Sequence, residues 1–151
     1  LGFEDDFLVN GAVMRFNAPG HAFLNDCMVE YARNFHPRVW SANGPMLLTR
    51  VLRRKPWCNR TFLLFGVRRC KDVNILPPLA FYAIGYPDWE LFFSAAKDAS
   101  DYVLQKLKHS GSYSTHLWNE LSGKASVSPE SAYGRLAAAH CPMAYASSTT
   151  F

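Results

Sequence analysis

The chain is predicted to adopt an α/β fold. Stretches rich in strand formers alternate with stretches of helical apolar spacing. Pro–Gly, Asn–Gly–Pro and Pro–Pro groups mark the junctions. The 151 residues, 49% apolar and 15% aromatic, suit about one domain with a real core.

Taken in order, Phe7 to Phe16 ("FLVNGAVMRF") reads as a strand interrupted at Asn10-Gly11. A glycine inside a strand marks a bulge or a close backbone approach. Pro19-Gly20 opens a helix whose buried face is expected to carry Phe23, Cys27, Met28, Tyr31 and Phe35. Asn43-Gly44-Pro45 opens the next, with Pro45 in the first turn, where a missing N–H is harmless. Leu47, Leu48, Val51 and Leu52 form its apolar stripe. Arg50, Arg53, Arg54 and Lys55 follow the other side and the C-terminal end. Pro56 to Asp72 reads as an irregular excursion. "VNILPP" and "AFYAI" read as short strands, and Pro87-Asp88-Trp89 as the start of a short helix ending near Phe93. Ser100 to Lys108 has helical spacing. "YSTHLWN" (113–119) reads as a strand or strand exit, "GKASVS" as a loop, and Ser128 as the cap of a last helix reaching about His140. No internal repeat is visible.

A formal charge of +4 is mild for this length and does not point to nucleic acid. No run of about 18 apolar residues spans a membrane. The chain starts at Leu1 and enters a strand within a few residues, so it reads as a fragment whose anchor or targeting segment lies upstream. Its four cysteines, Cys27, Cys58, Cys70 and Cys141, allow three pairings, and none shows the close spacing of a zinc site. Cys58 and Cys70 bracket a loop holding the glycosylation sequon Asn59-Arg60-Thr61. A bridge closing a loop that short contributes roughly 3 kcal/mol. Both features point to the secretory pathway.

The chemistry-bearing candidates are few. His116, at the expected end of a strand, suits a metal ion or a phosphate, because open α/β sheets bind ligands at that edge. Trp118 would wall such a site. A satisfied core histidine would give the same letters. Glu4-Asp5-Asp6 could bind a cation or form a solvated turn. Asn10 places an amide in a buried-looking strand, where it must be satisfied by structure or by a ligand hydroxyl. Asn43 and Gly44 stand at a helix N-terminus, which can hold an anion or a sugar hydroxyl, or simply cap the helix. The basic runs Arg50 to Lys55 and Arg68 to Lys71 read as solvated faces, and Trp89 and Phe92 as core rather than a sugar-stacking platform. No Gly-rich phosphate loop and no H-E-x-x-H are present, and no Ser-His-Asp order can be read.

"LVNGAVMRF", "GPMLLTRVL", "LPPLAFYAI", "DWELFF" and "HLWN", in this order, resemble the C-terminal half of the α-1,4-glycosyltransferase family. The resemblance runs from Leu1 to about Pro142. It implies the C-terminal half of a GT-A-type nucleotide-sugar transferase fold, one part of a single catalytic domain, in a type II Golgi membrane protein with its catalytic side in the lumen. It implies a retaining, metal-dependent hexosyltransferase that moves galactose or N-acetylgalactosamine from UDP-galactose or UDP-N-acetylgalactosamine to a glycolipid acceptor. The expected cation is Mn²⁺, held in the family partly by an Asp-x-Asp motif. These 151 residues contain no such motif, and the family places it upstream, so the chain alone is expected to be inactive. By the same resemblance, His116 completes the metal site and touches the diphosphate, with Trp118 beside it. Asn10 and Gly11 contact the donor or acceptor sugar, while Asn43 and Gly44 face the anomeric centre. The cysteines are expected to pair Cys58–Cys70 and Cys27–Cys141, the second stapling the early helix to the end of the last. Two other readings compete: a non-catalytic secretory carbohydrate-binding domain, and a basic module for anionic lipid surfaces.

Overall fold

The first turn of the chain is built on one carboxylate. Asp5 Oδ1 accepts the amides of Phe7 (2.7 Å) and Leu8 (2.8 Å), and the Glu4 amide donates to the Leu8 carbonyl (2.8 Å). This folds Gly2–Phe3 (β1) back on Val9–Asn10 (β2) as an antiparallel pair. The computed structural model describes residues 1–59 and 68–148 and divides the chain into two compact units, Leu1–Phe81 and Tyr82–Phe151.

In the first unit, β1 also meets Leu76 in a parallel bridge, through Phe3 N–H to Leu76 O and Leu76 N–H to Leu1 O, both 2.9 Å. Then come α1 (Ala22–Arg33), α2 (Pro45–Arg53) and the short α3 (Pro56–Asn59). Arg68–Cys70 (β3) pairs antiparallel with Val73–Ile75 (β4), and Pro78–Ala80 makes a 3₁₀ turn. The core gathers Phe3, Val9, Phe23, Cys27, Leu47, Leu48, Val51, Leu52, Val73 and Ile75, which includes the whole stripe expected on α2.

The long first strand is not formed. Asn10 Oδ1 accepts the Ala12 amide (2.8 Å), which turns the chain, and residues 12–15 are exposed. Gly11 lies so close to α2 that a Cβ there would sit 2.9 Å from Leu48 Cδ1, so the glycine marks the close approach its position suggested. α1 is also rotated from the expected face. Phe23 and Cys27 are buried, but Met28 (67% exposed), Tyr31 and Phe35 are not. The third inward position is Glu30, 5% exposed.

Glu30 is tolerated there because two guanidinium groups meet it. Arg50 Nε donates to Oε1 (3.0 Å), and Arg54 donates a short bond to Oε2. Burial pushes the carboxyl pKa up, but the bonds from Arg50 and Arg54 outweigh this and hold it below the usual glutamate value. Arg50 also reaches the Ala42 carbonyl (3.3 Å), Lys55 pairs with Asp26, and Arg53 donates to the Phe7 carbonyl (3.1 Å). The run Arg50 to Lys55 is therefore built into the helix pair, not merely a solvated face. Thr49, the polar residue inside the apolar stripe, is buried for a similar reason. Its hydroxyl accepts the Val9 amide (2.9 Å) and donates to the Pro45 carbonyl (2.8 Å), tying β2 to α2.

Cys58 and Cys70 are bonded to each other, as expected. The second expected bridge is not: Cys27 is a buried thiol in the first unit and Cys141 an exposed thiol in the second. Cys27 is pushed up to about 11 by burial and by the neighbouring Asp26 and Glu30 carboxylates. The sequon expectation concerns a side chain outside the described residues.

In the second unit, Tyr86–Phe92 is a 3₁₀ helix. It is followed by α4 (Lys97–Ser110), ended by Gly111 at φ 66°, then α5 (Asn119–Ser122), α6 (Ala132–His140) and α7 (Pro142–Ser147). Ile84, Phe92, Val103 and Ala132 are fully buried together, and Leu91, Phe93, Leu104, Leu107 and Leu136 pack on them. Phe92 is thus core, and Trp89 rests edge-on against Phe93. The helix expected from Ser128, α6, is capped at Ser131 instead, and a further helix, α7, follows it. Ser131 Oγ accepts the Gly134 amide (3.1 Å) and donates to the Ser128 carbonyl (2.6 Å). Residues 80–84 are all buried but form no strand. A short apolar run reads alike as a strand or as buried irregular chain. The described residues hold two two-stranded antiparallel sheets, seven α-helices and two short 3₁₀ segments, a mixed α and β architecture. No described helix is long and apolar enough to cross a membrane.

Replacing Glu30 by Gln leaves two guanidinium groups without their shared anion. The expected cost near neutral pH is roughly 2–4 kcal/mol, on the low side for a broken buried pair because Arg54 is largely exposed. Since the folded carboxyl is depressed, its stabilisation is present above the ordinary glutamate range and lost as pH falls through the folded value. Urea midpoints of wild type and Glu30→Gln should converge in acid. A gap that stays constant down to strongly acidic pH would show that charge is not the source. For Thr49→Val, the Val9 amide loses its acceptor, and the midpoint should fall by the equivalent of about 1–3 kcal/mol; an unchanged midpoint would remove Thr49 from the tie between β2 and α2.

Candidate functional site

The segment expected to be a strand or strand exit, 113–119, forms no strand and runs without regular structure into a turn at the start of α5. The turn is made by Trp118, which stands at φ 54° and ψ 47° as the residue capping α5. A left-handed tryptophan is uncommon and costs energy unless its surroundings hold it. Four contacts do. The indole N–H donates to the Ile84 carbonyl (3.1 Å). The Trp118 carbonyl accepts the amides of Leu121 (2.8 Å) and Ser122 (2.9 Å). Ser122 Oγ donates to the Leu117 carbonyl (2.7 Å). Finally, the Trp118 amide donates to His116 Nδ1 (3.0 Å).

His116 is half-buried at this turn. Its ring lies 4.5 Å from that of Trp118 and 5.4 Å from that of Tyr82, and Tyr82 and Trp118 touch each other at 5.7 Å. Tyr86 meets Trp118 edge-on at 5.7 Å. The imidazole is therefore set in an aromatic wall and spends one nitrogen on the backbone. The hydroxyl of the preceding residue, Thr115, is buried and has no hydrogen-bond partner among the described residues. Tyr82 and the Ile84 carbonyl were not singled out from sequence. Their signal lay in "AFYAI", where a tyrosine interrupts an apolar run.

A divalent cation needs several ligands converging on one point. Among the described residues no three His, Cys, Asp or Glu side chains do so. Glu4-Asp5-Asp6 is not such a cluster: Asp5 holds the first turn, and Glu4 Oε2 accepts from Asn10 Nδ2 (2.6 Å). The described donor set does not fit a metal centre on its own.

The first unit holds the other named residues. The Asn10 amide is engaged at both ends, donating to Glu4 and accepting from Ala12, so it is satisfied by structure. Asn43 is engaged likewise. Its Oδ1 accepts the His36 amide and its Nδ2 donates to the His36 carbonyl, both at 2.9 Å, closing the loop between α1 and α2. Gly44 caps α2 with open space around it, the nearest atom to an added Cβ being the Ser41 carbonyl at 3.9 Å. Asn10–Gly11 and Asn43–Gly44 flank the same joint, where Thr49 links β2 to the first turn of α2.

A family model described as the α-1,4-glycosyltransferase conserved region matches residues 16–148. Lactosylceramide 4-alpha-galactosyltransferase of Gorilla gorilla gorilla is 33% identical over 144 residues, covering 94% of this chain and 42% of that protein. The Homo sapiens protein of the same name is also 33% identical over 94% of this chain, covering 38% of its own length. Alpha-1,4-N-acetylglucosaminyltransferase of Homo sapiens is 30% identical over 131 residues, covering 84% of this chain and 36% of that protein. The chain thus spans about two fifths of the length of these curated relatives. No solved structure matches it. The matched region takes in α1, α2, the disulfide and the His116–Trp118 turn, and on this ground the chain belongs to the α-1,4-glycosyltransferase family.

Proposed function

We propose that this chain forms part of a retaining α-1,4-glycosyltransferase that moves galactose or N-acetylgalactosamine from a UDP-sugar to a glycolipid acceptor. The observation that carries this reading is the family match over residues 16–148, which contains Asn43, Gly44 and the His116–Trp118 turn. The names of the relatives support a galactosyl donor and a lactosylceramide-like acceptor, while one relative at 30% identity is named for N-acetylglucosamine transfer. The reading extends to a GT-A-type fold completed by residues outside this chain, and to the Golgi lumen. The Cys58–Cys70 bridge suits that oxidising compartment.

Glycosyl transfer passes through an oxocarbenium-like state while the departing UDP gains negative charge. A bound Mn²⁺ would act there as a Lewis acid toward the leaving group. Among this chain's own residues, a ring N–H set in an aromatic wall is suited to meet that charge, because a fixed donor in a partly dry site needs no reorganisation. Retention by double displacement needs a carboxylate at the anomeric carbon. The residues placed there by resemblance are Asn43 and Gly44, and the Asn43 amide is already committed to His36. A front-face route, with the α2 N-terminus shaping the approach, agrees best with this arrangement.

The test is transfer by the full-length protein from UDP-galactose, UDP-N-acetylgalactosamine and UDP-N-acetylglucosamine to lactosylceramide. The expected product is an α-1,4-linked hexoside with the donor's anomeric configuration retained. A β-linked product would overturn the mechanism. Glycan binding without transfer from any donor would favour the carbohydrate-binding alternative. A second expectation concerns the Thr115 hydroxyl, which has no partner among the described residues. Thr115→Val removes a buried group without a partner, so thermal stability should hold or rise. A clear loss of stability would show that the hydroxyl is paired in solution.

A further inference from the structure

We propose that the outer face of α1 and the loop after it, marked by Met28, Tyr31, Phe35, Val39 and Trp40, is the surface on which the rest of the full-length polypeptide docks. The inference rests on the reading of this chain as part of a longer transferase, and deepens it by naming where the two parts meet.

One exposed apolar side chain is ordinary, but a group of them marks an interaction surface. Every residue from Tyr31 to Trp40 is exposed, and so is Met28 one turn earlier. Met28, Tyr31 and Phe35 follow one another at helical spacing, so they share a face, and the Tyr31 and Phe35 rings lie 5.2 Å apart. The other side of α1 is buried in the first unit through Phe23, Cys27 and Glu30. A helix that carries apolar residues on both sides is suited to lie between two layers, and the first unit supplies one of them.

The loop is a second observation, because it is pinned. Asn43 clamps the His36 amide and carbonyl, both at 2.9 Å. Ala42 is buried, and its carbonyl accepts Arg50 Nη1 at 3.3 Å. Between them Ser41 stands at φ 59°, and its carbonyl receives the amides of Gly44 (3.0 Å) and Met46 (3.1 Å). A left-handed serine costs energy and persists because its surroundings hold it. This firmly held loop nevertheless leaves Trp40 74% exposed. A large aromatic side chain on a fixed frame loses little freedom on binding, which is what an interface anchor needs.

Such a face could take a second copy, a lipid surface or the remainder of the chain. Between Tyr31 and Pro45 there are two arginines, Arg33 and Arg38, and no acidic residue. A two-fold contact between copies would therefore set cations against cations. The chain covers 42% of the Gorilla gorilla gorilla relative and 38% of the Homo sapiens one, so most of a protein of that length lies outside these residues. The remainder is the occupant that these lengths call for. Trp40 precedes Asn43 by three residues, so the seam runs beside the start of α2, where Asn43 and Gly44 stand.

The experiment uses the full-length protein and two variants, Met28→p-benzoylphenylalanine and Trp40→p-benzoylphenylalanine. On irradiation each benzophenone should join a peptide of the same chain that lies outside these 151 residues. In the wild type, Met28 should be oxidised by peroxide roughly tenfold more slowly in the folded than in the unfolded protein, read by mass spectrometry. Crosslinks to a second copy, adducts with lipid, or no crosslink beyond these residues would overturn the inference. So would a Met28 oxidation rate within about twofold of the unfolded one, since 67% exposure would then persist in the whole protein. If the variants fail to fold, the wild-type oxidation decides alone. Protection lost on dilution would assign the face to a second copy, and protection seen only with phosphatidylcholine vesicles would assign it to lipid. Sugar transfer is measured on the same preparation. Transfer without the crosslink overturns this inference and leaves the transferase reading intact, whereas the crosslink without transfer does the reverse.

Discussion

Glu30 sits where a helix would ordinarily place a leucine, and the first unit is arranged around that fact. A lone carboxylate in a core is costly, so it must be met by positive charge with good geometry. Two residues of one helix end, Arg50 and Arg54, supply it. Their spacing of four puts both on one face of α2 and just past its end, which fixes how α2 lies along α1. Once that register is set, Thr49 falls beneath β2 and Leu48 beneath Gly11. The hairpin, the loop closed by Asn43 and the start of α2 then follow as a group. An apolar residue at position 30 could pack as well, but would leave two guanidinium groups with nothing to specify their place.

The second unit uses a smaller device to a similar end. A tryptophan in a left-handed turn is held by its indole, its carbonyl and its amide at once. Each bond uses a different part of the residue, so the strain is spread over several elements. The imidazole that accepts the amide is thereby oriented as well. Orientation and protonation are one matter here, because a ring that must accept on one nitrogen has a single neutral form.

The sequence was most legible where one physical cause acts alone. The α2 stripe follows from spacing, the start at Pro45 from its missing N–H, and the Cys58–Cys70 bridge from two cysteines around a short loop. It was least legible where two causes compete. The apolar letters from Phe7 to Phe16 outweigh Asn10 on any propensity scale, yet one side-chain bond to the Ala12 amide ends the strand. On α1, Met28, Tyr31 and Phe35 suggest a buried face that the Glu30 ion pairs override. Ser128 and Ser131 are equally good caps, and Gly134 decides between them, since only a residue without a side chain can lie against the Ser128 carbonyl. The order of motifs pointed to the family. The amides of Asn10 and Asn43 show the limit of such a reading, because letters that match a site do not tell whether the side chain faces a ligand or its own backbone.

Cys27 shares its core with the Cys58–Cys70 bridge. A free thiol among bonded sulfurs is ordinarily a hazard during oxidative folding, because exchange proceeds through the thiolate. Here burial and two adjacent carboxylates push the Cys27 thiol to about 11. At neutral pH only on the order of one molecule in ten thousand carries the reactive anion there. Asp26 and Glu30, placed to meet Lys55, Arg50 and Arg54, thus also keep the Cys27 thiol protonated, which disfavours its exchange with the bridge in the folded core.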